Sequence, residues 1–188
     1  NCILSAAVEN YGDLRAAMGP ALRARQLARG VDDGVLDCRV ACRLARLWIV
    51  QQRVDPALAV VNRALLNSQQ IERNPVRGQL YWLQGDCFGT RGQYAQAVEA
   101  IERASDCNHE SQQTWLDGHL LEVLAYLAIE HGHLAQADQL LNEARLLSAV
   151  QLLATEKFNL EIMSGMLAFE RCLFDEAAEL FDEALQTS

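Results

Sequence analysis

Apolar and small side chains recur along this chain with a period of 40 residues. Two columns of the repeat are alanine five times in five: Ala17, Ala57, Ala97, Ala137 and Ala177, then Ala24, Ala64, Ala104, Ala144 and Ala184. A third column is always small (Ala45, Gly85, Ala125, Gly165). Two more are large and apolar: Val54, Tyr94, Leu134, Phe174 and Val61, Ile101, Leu141, Phe181. A fixed period of this length signals stacked supersecondary units, none able to bury its apolar face alone. Alanine repeats where two helices cross closely, because a side chain beyond Cβ would push the axes apart, and large residues such as Tyr94 and Phe174 fill the wider gap near the turn.

Each period predicts two antiparallel helices. Over residues 112–131, Leu120, Leu121, Leu124 and Leu127 are spaced for one buried face, Gly132 breaks the pattern, and 134–146 resume it with Leu134, Ala137, Leu141 and Ala144. Likewise 76–91 lead through Gly92 into 94–105, and 153–171 lead through Cys172 into 174–186. Asn74-Pro75 reads as an N-cap followed by a first-turn proline. The polar stretch Ser105–Ser111 reads as a loop. At the beginning, Leu14, Ala17, Ala21 and Ala24 keep the register, but Gly19-Pro20 predicts an interruption, with a separate helix from Pro20 to Arg29 ended by Gly30. The junction near Ser148 has no Gly or Pro to mark it. The expected organisation is one helical-repeat domain over 1–188, with units at 1–30 (partial), 33–69, 75–105, 112–147 and 151–187.

Composition narrows the class. A chain of 188 residues that is 51% hydrophobic can bury a large core. No apolar run reaches the roughly 18–20 residues of a membrane span, and Asn1-Cys2-Ile3-Leu4 lacks the basic flank of a secretory signal. The start without Met reads as an excised piece of a longer protein. Six cysteines without CxxC spacing argue against a disulfide framework or zinc ribbon, and read as reduced, small buried or half-buried thiols of a cytoplasmic protein. Residues 1–94 carry a net +4 and 95–188 a net −13, together the chain's −9. The acidic excess argues against direct nucleic-acid contact. It suits a solvated surface, or else self-association or a basic partner along the C-terminal repeats.

The run Tyr81-x-x-Gln84-Gly85-x-x-Phe88, then Gly92-x-Tyr94-x-x-Ala97-x-x-x-Ile101-x-x-Ala104, resembles the tetratricopeptide (TPR) repeat signature. Gly165, Phe174, Ala177, Phe181 and Ala184 reproduce it, as do Ala125, Gly132, Leu134, Ala137, Leu141 and Ala144. The resemblance covers residues 33–188. It departs in the period, in the missing closing proline, and at Gln52 and Cys172, which replace the turn glycine. It implies an all-α fold, a right-handed superhelical array of antiparallel helix pairs, whose concave surface is lined by the first helix of each pair. Carried over residue by residue, that surface takes Arg39, Cys42, Arg46 and Ile49, then Gln79, Trp82, Asp86 and Gly89. The later units add His119, Glu122, Tyr126 and Ile129, then Asn159, Ile162, Met166 and Phe169. Trp82 and Tyr126 offer large rigid contacts, and Arg39 with Arg46 a fork for carboxylate or phosphate; the alternative for Trp82 and Phe169 is to fill the seam between units. The Lys and Asn of the chaperone-tail clamp are absent from the matching positions. Forty-residue units also resemble the sensor domain of MalT-type, LuxR-family bacterial activators, and Arg-rich, Lys-poor usage suits a bacterial source.

No glycine-rich phosphate loop, HExxH, GxSxG or carboxylate pair is present, so the expectation is a non-enzymatic regulatory domain without metal or cofactor. His131 and His133 at a turn read as helix-end or solvent-facing groups. The expected partner is a protein or peptide, or a small-molecule effector, with the domain acting as the sensor of a bacterial transcription activator or as a general TPR adaptor.

Overall fold

A computed structural model describes residues 14–28, 30–31, 33–69, 71, 76–111, 117–151 and 154–187. Among them are nine helices and no strand. The chain divides into two compact units, residues 1–112 and 113–188. The first holds α1 (Leu14–Ala28), α2 (Gly34–Val50), α3 (Val54–Asn67), α4 (Arg77–Thr90) and α5 (Tyr94–Ser111). The second holds α6 (Asp117–Glu130), α7 (Leu134–Gln151), α8 (Ala154–Glu170) and α9 (Phe174–Thr187). Helices α2/α3, α4/α5, α6/α7 and α8/α9 pack as hairpins; α1 packs on α2, α3 on α4 and α7 on α8.

The period is written into the backbone at the turns. Gln52, Gly92, Gly132 and Cys172 all have positive φ, between 58° and 75°. Each closes a Schellman motif: Arg53 N–H donates to Trp48 O, Gln93 to Phe88 O, His133 to Ala128 O and Leu173 to Ala168 O, all at 2.8–2.9 Å. Gln52 and Cys172 therefore hold a conformation that an L side chain adopts at a cost of roughly 1–2 kcal/mol. Gln52→Gly and Cys172→Gly should each stabilise by about 1 kcal/mol after the added chain entropy of glycine is deducted. Urea unfolding of each variant measures this, and a loss of stability would show that the side chains contribute contacts worth more than the backbone relief.

Both alanine columns are buried throughout, none more than 7% exposed. The small column faces the second large column, and sizes compensate. A Cβ on Gly85 would stand 2.5 Å from Ile101 Cδ1, and one on Gly165 2.5 Å from the Phe181 ring. Where the partner is Val61 or Leu141, alanine (Ala45, Ala125) suffices, and each pair shares a core cluster. At the turn the expected filling is only partial: Val54, Tyr94 and Leu134 are half-buried, but Phe174 is 58% exposed and meets Phe169 edge-on at 5.5 Å.

Two local expectations are overturned by packing. Residues 105–111 continue α5 instead of forming a loop. Asn108 is buried against Gly78, where a Cβ would stand 2.5 Å from its Oδ1, and Ser111 Oγ donates to Cys107 O at 2.7 Å. Nor does Pro20 start a separate helix: it lies inside α1. One unbroken stripe, Ala17, Ala21, Ala24 and Ala28, packs against Val40, Leu44 and Leu47, which outweighs the lost hydrogen bond and ring clash of about 3 kcal/mol. Asp33 caps α2, its Oδ1 accepting from Val35 and Leu36 N–H at 3.0 and 3.1 Å. The Asn74-Pro75 cap lies outside the described residues. Near Ser148 the chain stays helical to Gln151 and resumes at Ala154.

Interhelical clamps also follow the period. Arg91 pairs with Asp55 on α3, and Arg171, two periods on, donates to Leu134 O and Asp138, both at 3.2 Å.

Cys38, Cys42 and Cys87 are buried free thiols, Cys107 is half-buried and Cys172 is exposed. Burial, then the neighbouring Cys38, drives the Cys42 thiol far upward. Burial, then the charge of Asp86, pushes Cys87 up to about 12. The unfolded thiols ionise near their ordinary value of 9.0 while the folded chain keeps its protons. Stability is therefore fully present below pH 9 and falls as pH rises from there toward 12, by up to about 1.4 kcal/mol per pH unit for each thiol. Urea titrations at pH 7 and 10 should show this fall in the wild type and a shallower one in a Cys42→Ala/Cys87→Ala variant. Parallel falls would assign the loss to other groups.

Candidate functional site

The first helix of each hairpin carries the predicted interaction residues, and each unit holds its own set. In the first unit, Arg39 and Arg46 are exposed on α2 seven positions apart, two turns along one side. On α4, Gln79, Trp82 and Asp86 are half-buried, and Trp82 packs against the cluster built from Leu80, Leu83 and the α2–α3 apolar residues. Trp82 thus serves the seam between helix pairs. Phe169 does not: it is exposed and meets Phe174 edge-on.

In the second unit three predicted residues meet. Glu122 is only 1% exposed, an unusual place for a carboxylate. Asn159 Nδ2 on α8 donates to its Oε2 at 3.2 Å, and His119 Nδ1, one turn earlier on α6, donates to the same oxygen at 3.2 Å. This fixes α6 to α8 through a polar contact inside an otherwise apolar interface, and it holds the His119 ring, about one-third exposed, in one orientation. One turn beyond Glu122, Tyr126 projects its ring to solvent, 40% exposed. Partial burial, then the charge of Glu130, raises its phenol above the ordinary value, so the hydroxyl stays a donor at neutral pH. Met166 is half-buried against the core with Met163. Arg39, Arg46, Gln79, Trp82 and Asp86 belong to the other compact unit, so the predicted residues form two sets.

Sequence reading missed two polar pairs that tie the second unit. Arg145 Nη2 donates to the buried Ser164 Oγ at 2.5 Å, and Ser164 Oγ to Leu160 O at 2.6 Å. Arg171 was legible only as the residue two periods after Arg91. No helix of the described residues is long and apolar enough to cross a membrane.

No family model matches the chain. No curated protein matches it either. Solved structures do: a point variant of the nearly identical TPR-like repeats of a kinesin light chain-like protein from Podosopora anserina superposes with a TM-score of 0.72 at 14% identity, over 99% of this chain and 92% of that one. The parent form of those repeats superposes with a TM-score of 0.69 at 15% identity, over the same shares. At such identities the likeness speaks to architecture, and this chain has the TPR-like, all-α fold.

Proposed function

We propose that this chain is a protein-interaction module whose second unit holds a cationic peptide segment of a partner protein. The observation that carries this is Tyr126, a large ring 40% exposed one turn from a buried carboxylate whose hydrogen bonds are already taken up by His119 and Asn159. Rigid aromatic anchors of this kind concentrate binding energy, and a Lys or Arg over the ring adds a cation–π contribution of about 0.5–1 kcal/mol at an exposed site. Residues 113–188 carry 13 acids against 3 basic residues, which favours a basic partner and fast, salt-dependent encounter. The TPR-like neighbours agree with an adaptor role, and a cytoplasmic setting suits the buried free thiols.

Selection from a random peptide library should enrich Lys- or Arg-containing sequences whose affinity drops about tenfold in Tyr126→Ala, a loss of about 1.4 kcal/mol, and falls with added salt. Failure to enrich any peptide, or equal affinity in Tyr126→Ala, overturns the proposal. A narrower reading, the sensor domain of a MalT-type, LuxR-family bacterial activator, draws its support from the strict spacing of the turns at 52, 92, 132 and 172. A helix-turn-helix DNA-binding domain in the same gene would support it, and a kinase, cyclase or secretion domain in its place would remove it.

A further inference from the structure

The seam on the far side of α2 from Arg39 and Arg46 is built differently in successive repeats, and the difference leaves a binding site. Between α3 and α5, over α4, the cleft is closed by the chain itself. Tyr81 lies in it, Arg103 stacks over the Tyr81 ring at 5.9 Å from its centroid, and Arg77 donates to Ser68 O. One period earlier, the cleft between α1 and α3 over α2 has Ala41 where Tyr81 stands, Asp37 in place of Arg77 and Arg25 in place of Leu65. Arg63, the register equivalent of Arg103, remains but has no ring beneath it. The result is a cleft of about 550 Å3 with a small, deeply buried floor of Val40, Ala41, Leu44 and Val60 and a largely polar rim, where Arg25 and Arg63 stand with Asp33, Asp37, Asn67 and Gln69. That volume is in the range of small-molecule sites, roughly 300–1,000 Å3.

The charges orient what fits. Asp33 is engaged in capping α2, and Asp37 accepts from Asn67 Nδ2 at 3.5 Å, so the acids of the rim already have donors. Among the described residues Arg25 and Arg63 make no ion pair. We propose that this cleft binds a small aromatic carboxylate, its ring taking the place that Tyr81 fills in the next repeat and its carboxylate meeting the guanidinium groups of Arg25 and Arg63. Val31 and Leu66, exposed at the rim, supply apolar contact for a ring, and a guanidinium can both stack on that ring and bind the carboxylate through its planar fork. The site is separate from Tyr126 and lies in the other compact unit, so either proposal can fail without the other.

Titration of the whole chain with phenylacetate, followed in amide spectra, should give saturable shifts confined to α1, α2 and α3. Cyclohexylacetate and acetate should bind at least fivefold more weakly. Arg63→Gln, an exposed substitution that leaves the core untouched, should weaken phenylacetate at least fivefold. Ala41→Tyr, which supplies the missing ring in cis, should weaken it at least tenfold with helical circular dichroism retained. Should Ala41→Tyr fail to fold, the wild-type ligand series and Arg63→Gln decide alone. Equal binding of all three carboxylates, shifts elsewhere, or unchanged affinity in Arg63→Gln overturns the proposal.

Discussion

Ala97→Leu should destabilise the chain by about 1–3 kcal/mol and lower Tm by roughly 2–12 °C. Ala97 is fully buried, and its carbonyl oxygen is 3.3 Å from where a Cβ on Gly85 would stand. Helices α4 and α5 approach here as closely as their backbones allow, with Ile101 already filling the notch that Gly85 leaves. Three further carbons can be placed only by separating the two helices, and that would loosen the packing of Ile101 and Ala104 along the same stripe. Ala95→Leu is the control: it adds the same volume at an exposed position two residues away, and should change stability by less than about 0.5 kcal/mol. Equal thermal midpoints for Ala97→Leu and the wild type would mean that this column does not mark the helix crossing.

The crossing was legible because its constraint is local and repeated: each occurrence of the column demands a small residue whatever surrounds it. The turns were legible for the same reason, although two of the four αL positions are filled by Gln52 and Cys172. The failures lie where a single tertiary contact overrides local preference. Asn108 favours caps and turns, yet it is buried in a helix because Gly78 makes room for it. Pro20 should break α1, yet the stripe of four alanines holds the helix together.

Candidate sites were legible to different depths. Placing His119 and Glu122 on one face of α6, and Asn159 on the first helix of the next pair, needed only the repeat register. Their convergence on one carboxylate oxygen did not follow from it, since the reach between α6 and α8 depends on the packing of Leu160 and Leu167 below. For the α1–α3 cleft the signal was present as a column reading Ala41, Tyr81, Leu121 and Glu161. A column that is neither uniformly small nor uniformly large indicates no fold constraint, and only the ring of Tyr81 beneath Arg103 shows that the first member of the column leaves a space.

Asn159→Leu should cost about 2–4 kcal/mol, because it removes an Nδ2 donor from a carboxylate that is 1% exposed and replaces it with a group that cannot bond. His119 alone would then serve Glu122, from a side chain about one-third exposed. In Glu122→Leu/Asn159→Leu the buried charge is gone along with its donor, and two apolar side chains of similar size meet between α6 and α8. Most of the lost stability should return, since apolar replacement of a whole buried polar group is often neutral or better. Urea unfolding of wild type, both single variants and the double variant closes the cycle. A cost below about 1 kcal/mol for Asn159→Leu, or no recovery in the double variant, would show that Glu122 is served by solvent and not by α8. The double variant also separates stability from recognition. It keeps Tyr126 but loses the polar contact that orients His119 beside it, so selected peptides should bind it more weakly than they bind the wild type even at equal thermal stability. Undiminished binding would assign recognition to the ring of Tyr126 alone and leave the Glu122 cluster a purely structural tie between the two helices.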